Sequence, residues 1–113
     1  MKQGEIWEIE LDPTVGAEMR KRRPAVIVSD DAIGSLPLRV VVPITEWKDH
    51  YQGAVWMVRV ETDGLNNLSK TSVADAFQIR SVSINRFAGK IGAVSPAVLN
   101  EIKTAAKAVI DAE

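Results

Sequence analysis

The sequence predicts an α+β fold that is mainly β, in which an antiparallel sheet or small barrel packs against one C-terminal helix. Short apolar runs of strand type fill the chain up to residue 94, and a longer run with helical spacing follows them. No helical run separates the strands, which argues against alternating β-α units. With 113 residues the chain has the length of one domain, and we expect a single domain over residues 1–113.

The first two strands are predicted from different patterns. Trp7, Ile9 and Leu11 alternate with two glutamates, which is the period of a half-buried strand. Residues 24–29 form a continuous apolar run rich in β-branched side chains and indicate a buried strand. Its first residue is Pro24, a position at which the missing N–H is tolerated.

Four more strand segments are predicted further along the chain. Residues 38–44 favour a third strand, and Pro43 is expected to end its regular pairing. Three further strands are expected over residues 55–60, 72–79 and 89–94, with a turn of helix near residues 84–87.

The last segment has the signals of an amphipathic helix. Ser95 is a good N-cap, and Pro96 stands at the first helical position. The helix is expected to have about four turns at 3.6 residues per turn. Its apolar face is predicted to consist of Val98, Leu99, Ile102, Ala105, Ala106, Val109 and Ile110.

The composition excludes several classes of site. The chain has no cysteine, which excludes a disulfide framework, a zinc finger, an iron–sulfur site and a cysteine nucleophile. Its one histidine, His50, excludes a His-rich metal site and a two-histidine ribonuclease pair within one chain. No run approaches the ~20 apolar residues of a membrane helix. No signal peptide is visible either, and we expect a cytoplasmic protein without a membrane partner.

The formal net charge of −1 conceals a local asymmetry. Residues 1–12 hold one lysine and four acids, a net charge of −3. Residues 18–23 hold four basic residues and one acid, and residues 76–100 hold three basic residues and no acid, so each segment carries +3. Two basic segments favour a local anion site over a surface coated with nucleic acid. The open alternative is that these are solvated loop charges.

Four short motifs, in this order and spacing, resemble a known family. They are Gly4-Glu-Ile-Trp7 with Leu11-Asp-Pro-Thr-Val-Gly-Ala-Glu18, then Arg23-Pro-Ala-Val-Ile-Val-Ser29, Val42-Pro-Ile-Thr45 and Phe77-Gln-Ile-Arg-Ser81. Each motif alone is weak, but their order across about 80 residues is specific. Together they resemble the MazF/PemK family of RNA-cleaving toxins from toxin–antitoxin pairs, and most closely its PemK/Kid branch.

This resemblance implies an SH3-like barrel, a homodimer without a cofactor, and sequence-selective cleavage of single-stranded RNA. It also implies a cognate antitoxin whose acidic tail covers the basic site. The family's arginine before proline falls on Arg23, its threonine at the end of the Pro-Ile-Thr strand on Thr45, and its glutamate after the loop glycine on Glu18. These three are the predicted catalytic residues.

The chemistry of RNA cleavage gives each of the three a role. Attack by the 2′-hydroxyl needs a base, charge stabilisation at phosphorus, and a proton for the leaving 5′ oxygen. Arg23 has a permanent charge and planar donors that match two phosphate oxygens. Thr45 offers a hydroxyl to the same phosphate, and Glu18 either takes the 2′-hydroxyl proton or orients Arg23. Each residue also has a structural alternative. Arg23 is then one surface charge among several, Thr45 an ordinary residue at a strand end, and Glu18 an acid that balances the local charge.

Six further residues are predicted to bind RNA. The three basic neighbours of Arg23 either hold phosphates or keep the loop soluble, and a tryptophan in the following loop is placed to stack on an unpaired base. The six are Arg20, Lys21, Arg22, Trp47, Gln78 and Arg80. Trp56 is expected in the core or in a dimer interface. The loops 14–22 and 46–53 are expected to set the cut-site sequence.

The chain departs from the family pattern at Phe77. Relatives of the PemK/Kid branch carry an aspartate with an acid–base role directly before the matching glutamine. Asp75 lies two residues earlier, which is the same face if the segment is a strand, and it is the candidate acid–base replacement. The alternative is a structural or solvated acid. His50 lies in a polar loop outside the motifs, and we expect a plain loop residue there instead of a general base.

Two other functions stay open. A toxin of the same barrel fold poisons DNA gyrase by binding, without hydrolysis, and fold similarity does not exclude that activity. A catalytically degenerate homologue that only binds an antitoxin is the other alternative, and the missing aspartate at Phe77 supports it. The pair Arg23 and Thr45 discriminates, since a gyrase-binding protein has no need of it.

Overall fold

The computed structural model describes residues 1–111, which form one sheet of seven antiparallel strands and one α-helix. In chain order these are β1 (Glu5–Glu10), β2 (Arg22–Ile27), β3 (Leu38–Glu46), β4 (Met57–Val60), β5 (Ser72–Asp75), β6 (Arg80–Ser83), β7 (Phe87–Ala93) and α1 (Pro96–Ile110). Short 3-10 turns lie in the connections at Asp31–Ile33, Asp49–Tyr51, Ala76–Gln78 and Ile84–Arg86.

Strand β3 is the centre of the sheet because it pairs with three other strands. It pairs with β2 over residues 41–43, with β6 over residues 38–41 and with β5 over residues 44–46. Strands β5 and β6 therefore lie along successive halves of β3, joined by the turn at Ala76–Gln78. The order β4-β5-β3-β2-β1-β7 leaves β4 and β7 at the ends, so the barrel-like sheet is open.

Both faces of the central strands are buried. Side chains alternate along a strand, so neighbours such as Val41 and Val42 enter different clusters. One cluster lies under α1 and consists of Ile6, Val26, Val42, Ile44, Val58, Val60, Ala74, Ala76, Val94, Ile102 and Ala105. The other lies on the opposite face and consists of Ile9, Leu11, Ala25, Ile27, Val41 and Val82, with Trp7, Met19 and Phe87 against it. Trp7, Ile9 and Leu11 thus share one face, as their alternation predicts.

Two expectations about strand limits are wrong. Pro43 does not end the pairing of β3, because it still lies opposite Ala25 and the strand continues to Glu46. Pro43 lies in the gap between the pairing of β3 with β6, which ends at Val41, and its pairing with β5, which begins at Ile44, so the missing N–H falls where β3 changes partners along that edge. The expected strand over residues 72–79 is interrupted after Asp75 by the 3-10 turn.

The C-terminal helix begins as its sequence predicts. Ser95 Oγ accepts a 3.2 Å hydrogen bond from the amide of Val98, and Pro96 opens the helix. Ile102 and Ala105 are its fully buried residues against the sheet. The predicted mainly-β fold with one C-terminal helix is confirmed. Within residues 1–111, no helix has the length and apolar character needed to cross a membrane.

Candidate active site

Arg23 and Thr45 meet where β2 begins and β3 ends. Arg23 lies two residues before Ala25, and Thr45 lies two residues after Pro43, the residue that pairs with Ala25 across the two strands. Arg23 Nη1 donates a 3.4 Å hydrogen bond to Thr45 Oγ1, and its Nε donates one of 3.3 Å to the carbonyl of Arg20. Both side chains are half-buried. The structure therefore brings this predicted pair into contact, and two hydrogen bonds restrict the direction of the guanidinium.

A cavity of about 430 Å³ opens beside the pair, and we call it the Arg23 cavity. The cations of Arg23, Lys48 and Lys70 line it together with the Thr45 hydroxyl. Glu46 is its one acid, and its Oε2 lies 3.2 Å from Lys70 Nζ in an exposed ion pair. Three cations against one carboxylate make this cavity suitable for an anion.

Lys48 and Lys70 are not among the site residues that the motifs predict. Both lysines lie in polar segments that contain no motif. Lys70 and its ion-pair partner Glu46 are 24 residues apart in the sequence. The pairing of β3 with β5 sets Glu46 opposite Ser72 and so brings the two lysine segments to one end of the sheet. In the sequence, each lysine lies two residues from the end of a strand. These positions indicate a shared site only when the pairing of β3 with β5 is known.

A second cavity, of about 490 Å³, lies next to the first along β3, and we call it the Gln78 cavity. Pro43 forms part of its lining, whereas Thr45 lines the Arg23 cavity. Glu18 belongs to this second cavity, and its Oε1 accepts a 2.6 Å hydrogen bond from the amide of Val15. The structure thus places Glu18 in the cavity that adjoins the Arg23 cavity, and the ion pairs of the described residues include none between Glu18 and Arg23.

Gln78 and Arg80 bind the connection between β1 and β2, residues 11–21, which we call the basic loop. Gln78 Oε1 accepts a 3.0 Å hydrogen bond from the amide of Met19, and its Nε2 donates one of 3.1 Å to the carbonyl of Ala17. Arg80 Nη1 donates one of 3.1 Å to the carbonyl of Leu11. Both line the Gln78 cavity, but these polar groups already contact protein backbone.

The three basic neighbours of Arg23 are exposed. Arg20 supplies the carbonyl that Arg23 binds. Lys21 has a φ of 68°, and its carbonyl accepts a 2.9 Å hydrogen bond from the amide of Leu11, which closes the basic loop. Arg22 lies opposite Glu10, with 3.9 Å between Nε and Oε2. Their predicted phosphate contacts stay predictions.

Trp47 is half-buried, and its ring is partly covered by protein groups. The Arg59 guanidinium lies 4.9 Å from its ring centroid, and Tyr51 packs against it edge to face at 6.0 Å. Its Nε1 is buried and has no hydrogen-bond partner in residues 1–111. Arg59 thus occupies part of the ring surface assigned to an RNA base. His50 is exposed, packs at 4.5 Å on Tyr51, and lines neither cavity.

Trp56 does not lie in the core. It is 38% exposed and packs edge to face, at 6.0 Å, on Phe77, which is 65% exposed. They line a shallow hollow of about 220 Å³ at the end of α1. We call its lining residues the apolar patch: Val55, Trp56, Phe77, Ala108 and Val109.

Asp75, the candidate acid–base residue, is 8% exposed and lines neither cavity. Its Oδ1 accepts a 3.0 Å hydrogen bond from the amide of Phe77. Burial raises the pKa of Asp75 above the ordinary aspartate value, although hydrogen bonds from the amides of Phe77 and Gln78 oppose this. The expectation that positions 75 and 77 share one strand face is wrong, because β5 ends at Asp75.

No metal-binding group of acidic or histidine side chains is found in the part of the chain that the structure describes. The polar groups brought together at the two cavities are instead guanidinium, ammonium, hydroxyl, amide and carboxylate groups on separate elements. This set of groups can bind a phosphodiester and exchange protons with it.

Comparisons with known proteins agree with the motifs. The family model for the PemK-like, MazF-like toxin of type II toxin–antitoxin systems matches residues 2–110. The chain is 36% identical over 117 aligned positions to endoribonuclease MazF9 of Mycobacterium tuberculosis, covering 98% of this chain and 97% of that protein. It is 33% identical over 104 positions to endoribonuclease PemK of Escherichia coli, covering 90% of this chain and 76% of that protein.

Solved structures share the fold. MazF from Deinococcus radiodurans has a TM-score of 0.80 at 23% identity, over 97% of this chain and 96% of that one. An endoribonuclease from a mycobacterial species, solved in complex with its cognate antitoxin, has a TM-score of 0.75 at 21% identity, over 97% and 94% of the two chains. The chain therefore belongs to the family of PemK-like, MazF-like toxins of type II toxin–antitoxin systems.

Proposed function

We propose that the protein is an endoribonuclease toxin that cleaves single-stranded RNA at selected sequences in the cytoplasm and is inhibited by a cognate antitoxin. The relatives that align with most of the chain are named endoribonucleases. The observation that carries the proposal is the contact between Arg23 and Thr45. A guanidinium held beside a hydroxyl, at the mouth of a cationic cavity, suits a phosphodiester.

The proposed reaction is an attack by the 2′-hydroxyl on the adjacent phosphorus. The 2′-oxygen loses its proton to a base and bonds to phosphorus, while the bond from phosphorus to the 5′ oxygen breaks and that oxygen takes up a proton. The products are a 2′,3′-cyclic phosphate and a 5′-hydroxyl. Arg23 binds two non-bridging oxygens whose charge increases in the transition state, and Thr45 donates a hydrogen bond to the same group.

Glu18 is the proposed base. Its exposed carboxylate lines the Gln78 cavity, which adjoins the Arg23 cavity along β3. An RNA strand that crosses β3 between Pro43 and Thr45 passes both cavities, so the scissile phosphodiester can meet Arg23 while the 2′-hydroxyl of the adjacent ribose meets Glu18. Asp75 is a weaker candidate, because it is buried beneath its own turn.

Two protein partners are proposed. A second copy of this chain covers the apolar patch, since exposed apolar clusters of this kind mark protein interfaces. Ile110, 81% exposed, extends the same end of α1. The cognate antitoxin binds through an acidic tail, for which Arg23, Lys48 and Lys70 offer complementary charge.

Labelled RNA pools test this function. Purified protein should cleave single-stranded RNA with and without EDTA, and should leave 5′-hydroxyl ends with a 2′,3′-cyclic phosphate or its 3′-phosphate product. A single deoxyribose before the cut should block that cut. Continued cleavage of the deoxy substrate would exclude the 2′-hydroxyl mechanism. An inability to cut any RNA would favour the gyrase-binding or the degenerate alternative.

A further inference from the structure

We propose that Gln78 is a positioning residue, which fixes the basic loop and thereby sets the cut-site selectivity of the protein. The inference rests on the proposed RNA cleavage. Gln78 stands at the end of the 3-10 turn between β5 and β6, whereas the loop that it binds lies about 60 residues earlier in the chain. Its side chain thus joins two segments that the backbone does not connect locally.

Both polar atoms of the Gln78 side-chain amide form hydrogen bonds to the basic loop. Its oxygen accepts from the amide of Met19 at 3.0 Å, and its nitrogen donates to the carbonyl of Ala17 at 3.1 Å. These two backbone groups flank Glu18, so one side chain holds the chain on both sides of the proposed base. A carboxylate cannot donate the second bond, and an apolar side chain makes neither.

The other side-chain contacts that the described residues make to this loop from outside lie at its two ends, and they include Arg80 on the carbonyl of Leu11 and Arg23 on the carbonyl of Arg20. Arg86 Nη1 donates to the carbonyls of Glu10 and Asp12 at 3.0 and 2.7 Å, which secures the first residues of the loop. Val15 is 80% exposed, so the tip contributes little apolar packing. Met19, the residue after Glu18, is half-buried against the second core cluster and is the apolar anchor of this part of the loop. Gln78 therefore carries the polar contact that reaches the middle of the loop.

The backbone turn that carries the Gln78 side chain is itself held in place. The turn that carries it is capped by buried Asp75 and lies where β3 passes from β6 to β5. The Gln78 cavity has the basic loop on one wall and this turn on the other, with Pro43 between them. The length of the Gln78 bridge sets the separation of the walls, and hence the shape that an RNA base must fit.

The test compares Gln78→Met, which keeps side-chain size, with Gln78→Glu, which keeps the acceptor for Met19. Ser83→Ala is the matched control. Ser83 Oγ accepts a 3.3 Å hydrogen bond from the amide of Asn85 and so holds another turn of the same region. Amide exchange at Met19 and trypsin cleavage after Arg20–Arg22 report the loop directly. Sequenced RNA ends and separate kcat and KM values report its consequence.

We expect Gln78→Met to raise Met19 exchange and loop proteolysis on the order of tenfold or more, with Gln78→Glu intermediate and Ser83→Ala unchanged. Gln78→Met should also cut a wider set of sequences, with a lower kcat and a nearly unchanged KM. Unchanged exchange with a raised KM would overturn the proposal in favour of direct RNA contact by Gln78. Faster exchange with an unaltered cut-site set and kcat would overturn the link to selectivity.

The exchange and proteolysis measurements need no RNA. They judge the positioning role even if the wild-type protein cleaves nothing, so a failure of the proposed function and a failure of this inference give different results.

Discussion

Asp75 Oδ1 accepts a 3.0 Å hydrogen bond from the amide of Phe77, so a buried carboxylate closes the turn that ends β5. The acid points at its own backbone and lines neither cavity. Phe77, at the position where the family resemblance leads us to expect an acid–base aspartate, instead exposes an aromatic ring beside Trp56. We interpret Asp75 as the cap of a turn and not as a replacement acid.

Asp75→Asn tests this interpretation, because asparagine keeps the oxygen acceptor and loses the charge. Burial raises the folded-state pKa of Asp75, so the ionised carboxylate costs stability once the pH rises through that raised pKa. The variant should therefore gain stability relative to wild type as the pH rises above the ordinary aspartate pKa and through the raised one, measured by urea denaturation. Its RNA cleavage should stay within about threefold of wild type.

A loss of cleavage by about 10²–10⁴ in Asp75→Asn, with the fold intact, would show that the group transfers protons. Asp75→Ala is the companion variant. It removes the acceptor for the Phe77 amide and should destabilise the protein by about 1–3 kcal/mol.

Glu5 should give the protein an acid-sensitive contribution to stability. The indole of Trp7 and the ammonium of Lys90 each lie 3.0 Å from one of its carboxylate oxygens. Burial raises the pKa of Glu5, but these bonds and one from the amide of Lys2 lower it more, to about 2 from an ordinary 4.5. A lowered folded-state pKa gives stability above 4.5 that is lost as the pH falls towards 2.

Glu5→Gln should accordingly lower the free energy of unfolding at neutral pH by about 1–2 kcal/mol, a value reduced for solvent screening. The difference from wild type should shrink through that acid range. Urea midpoints measured across the range check this, with Glu8→Gln on the same strand as control. A difference that does not change with pH would contradict the assignment.

Lys48 should contribute one phosphate contact to RNA binding. It lines the Arg23 cavity, and release of one counterion from single-stranded RNA changes the slope of log affinity against log salt by about 0.7. Lys48→Ala should weaken binding of a non-cleavable deoxy-substituted RNA and flatten the slope by about that amount. Lys107→Ala, an exposed lysine in the last turn of α1, should change neither. Equal slopes in both variants would remove Lys48 from the binding surface.

The apolar patch should hold the dimer together. Trp56→Glu places a charge among exposed apolar side chains, and a buried unpaired charge opposes association. Sedimentation at micromolar concentration should show a dimer for wild type and a monomer for Trp56→Glu. Ile33→Glu alters an apolar side chain of 57% exposure on a different turn and should remain a dimer. A monomeric wild-type protein would contradict the proposed homodimer.

The sequence predicted the strands that obey a simple period and missed the points where strands change partners. Trp7, Ile9 and Leu11 share a face as expected, and α1 begins at Pro96. The break after Asp75 was not visible, because Val73, Phe77 and Ile79 keep a period of two across it. Only the switch of β3 from β6 to β5 makes that break necessary.

In the candidate site, too, some residues follow from sequence motifs and others depend on strand pairing. Arg23 and Thr45 follow from short motifs, and register places them in contact. Lys48 and Lys70 lie in segments whose meeting depends on strand pairing, which composition does not reveal. The motif that contains Gln78 predicts an RNA contact there, and nothing in the sequence indicates that its side chain binds the basic loop. Its partners in the basic loop are about 60 residues away in sequence.

Arg23 is the residue on which the proposed mechanism depends most. Among the neighbouring basic residues, it alone precedes a proline, and Pro24 restricts it to extended conformations. Its guanidinium is further held by Thr45 and by the carbonyl of Arg20. Pre-oriented donors stabilise developing charge with little reorganisation. Arg22, paired across the strands with Glu10, is an exposed charge one residue away and the natural control.

Single-turnover cleavage at saturating protein, compared between Arg22→Ala and Arg23→Ala, tests the mechanism most directly. Arg23→Ala should slow cleavage by on the order of 10²–10³, and Arg23→Lys nearly as much, because an ammonium cannot make the bidentate contact. Arg22→Ala should leave this rate close to wild type and mainly weaken RNA binding. Equal and small losses in the two alanine variants would mean that the four basic residues 20–23 act as a diffuse patch, and that Arg23 is not the source of transition-state stabilisation.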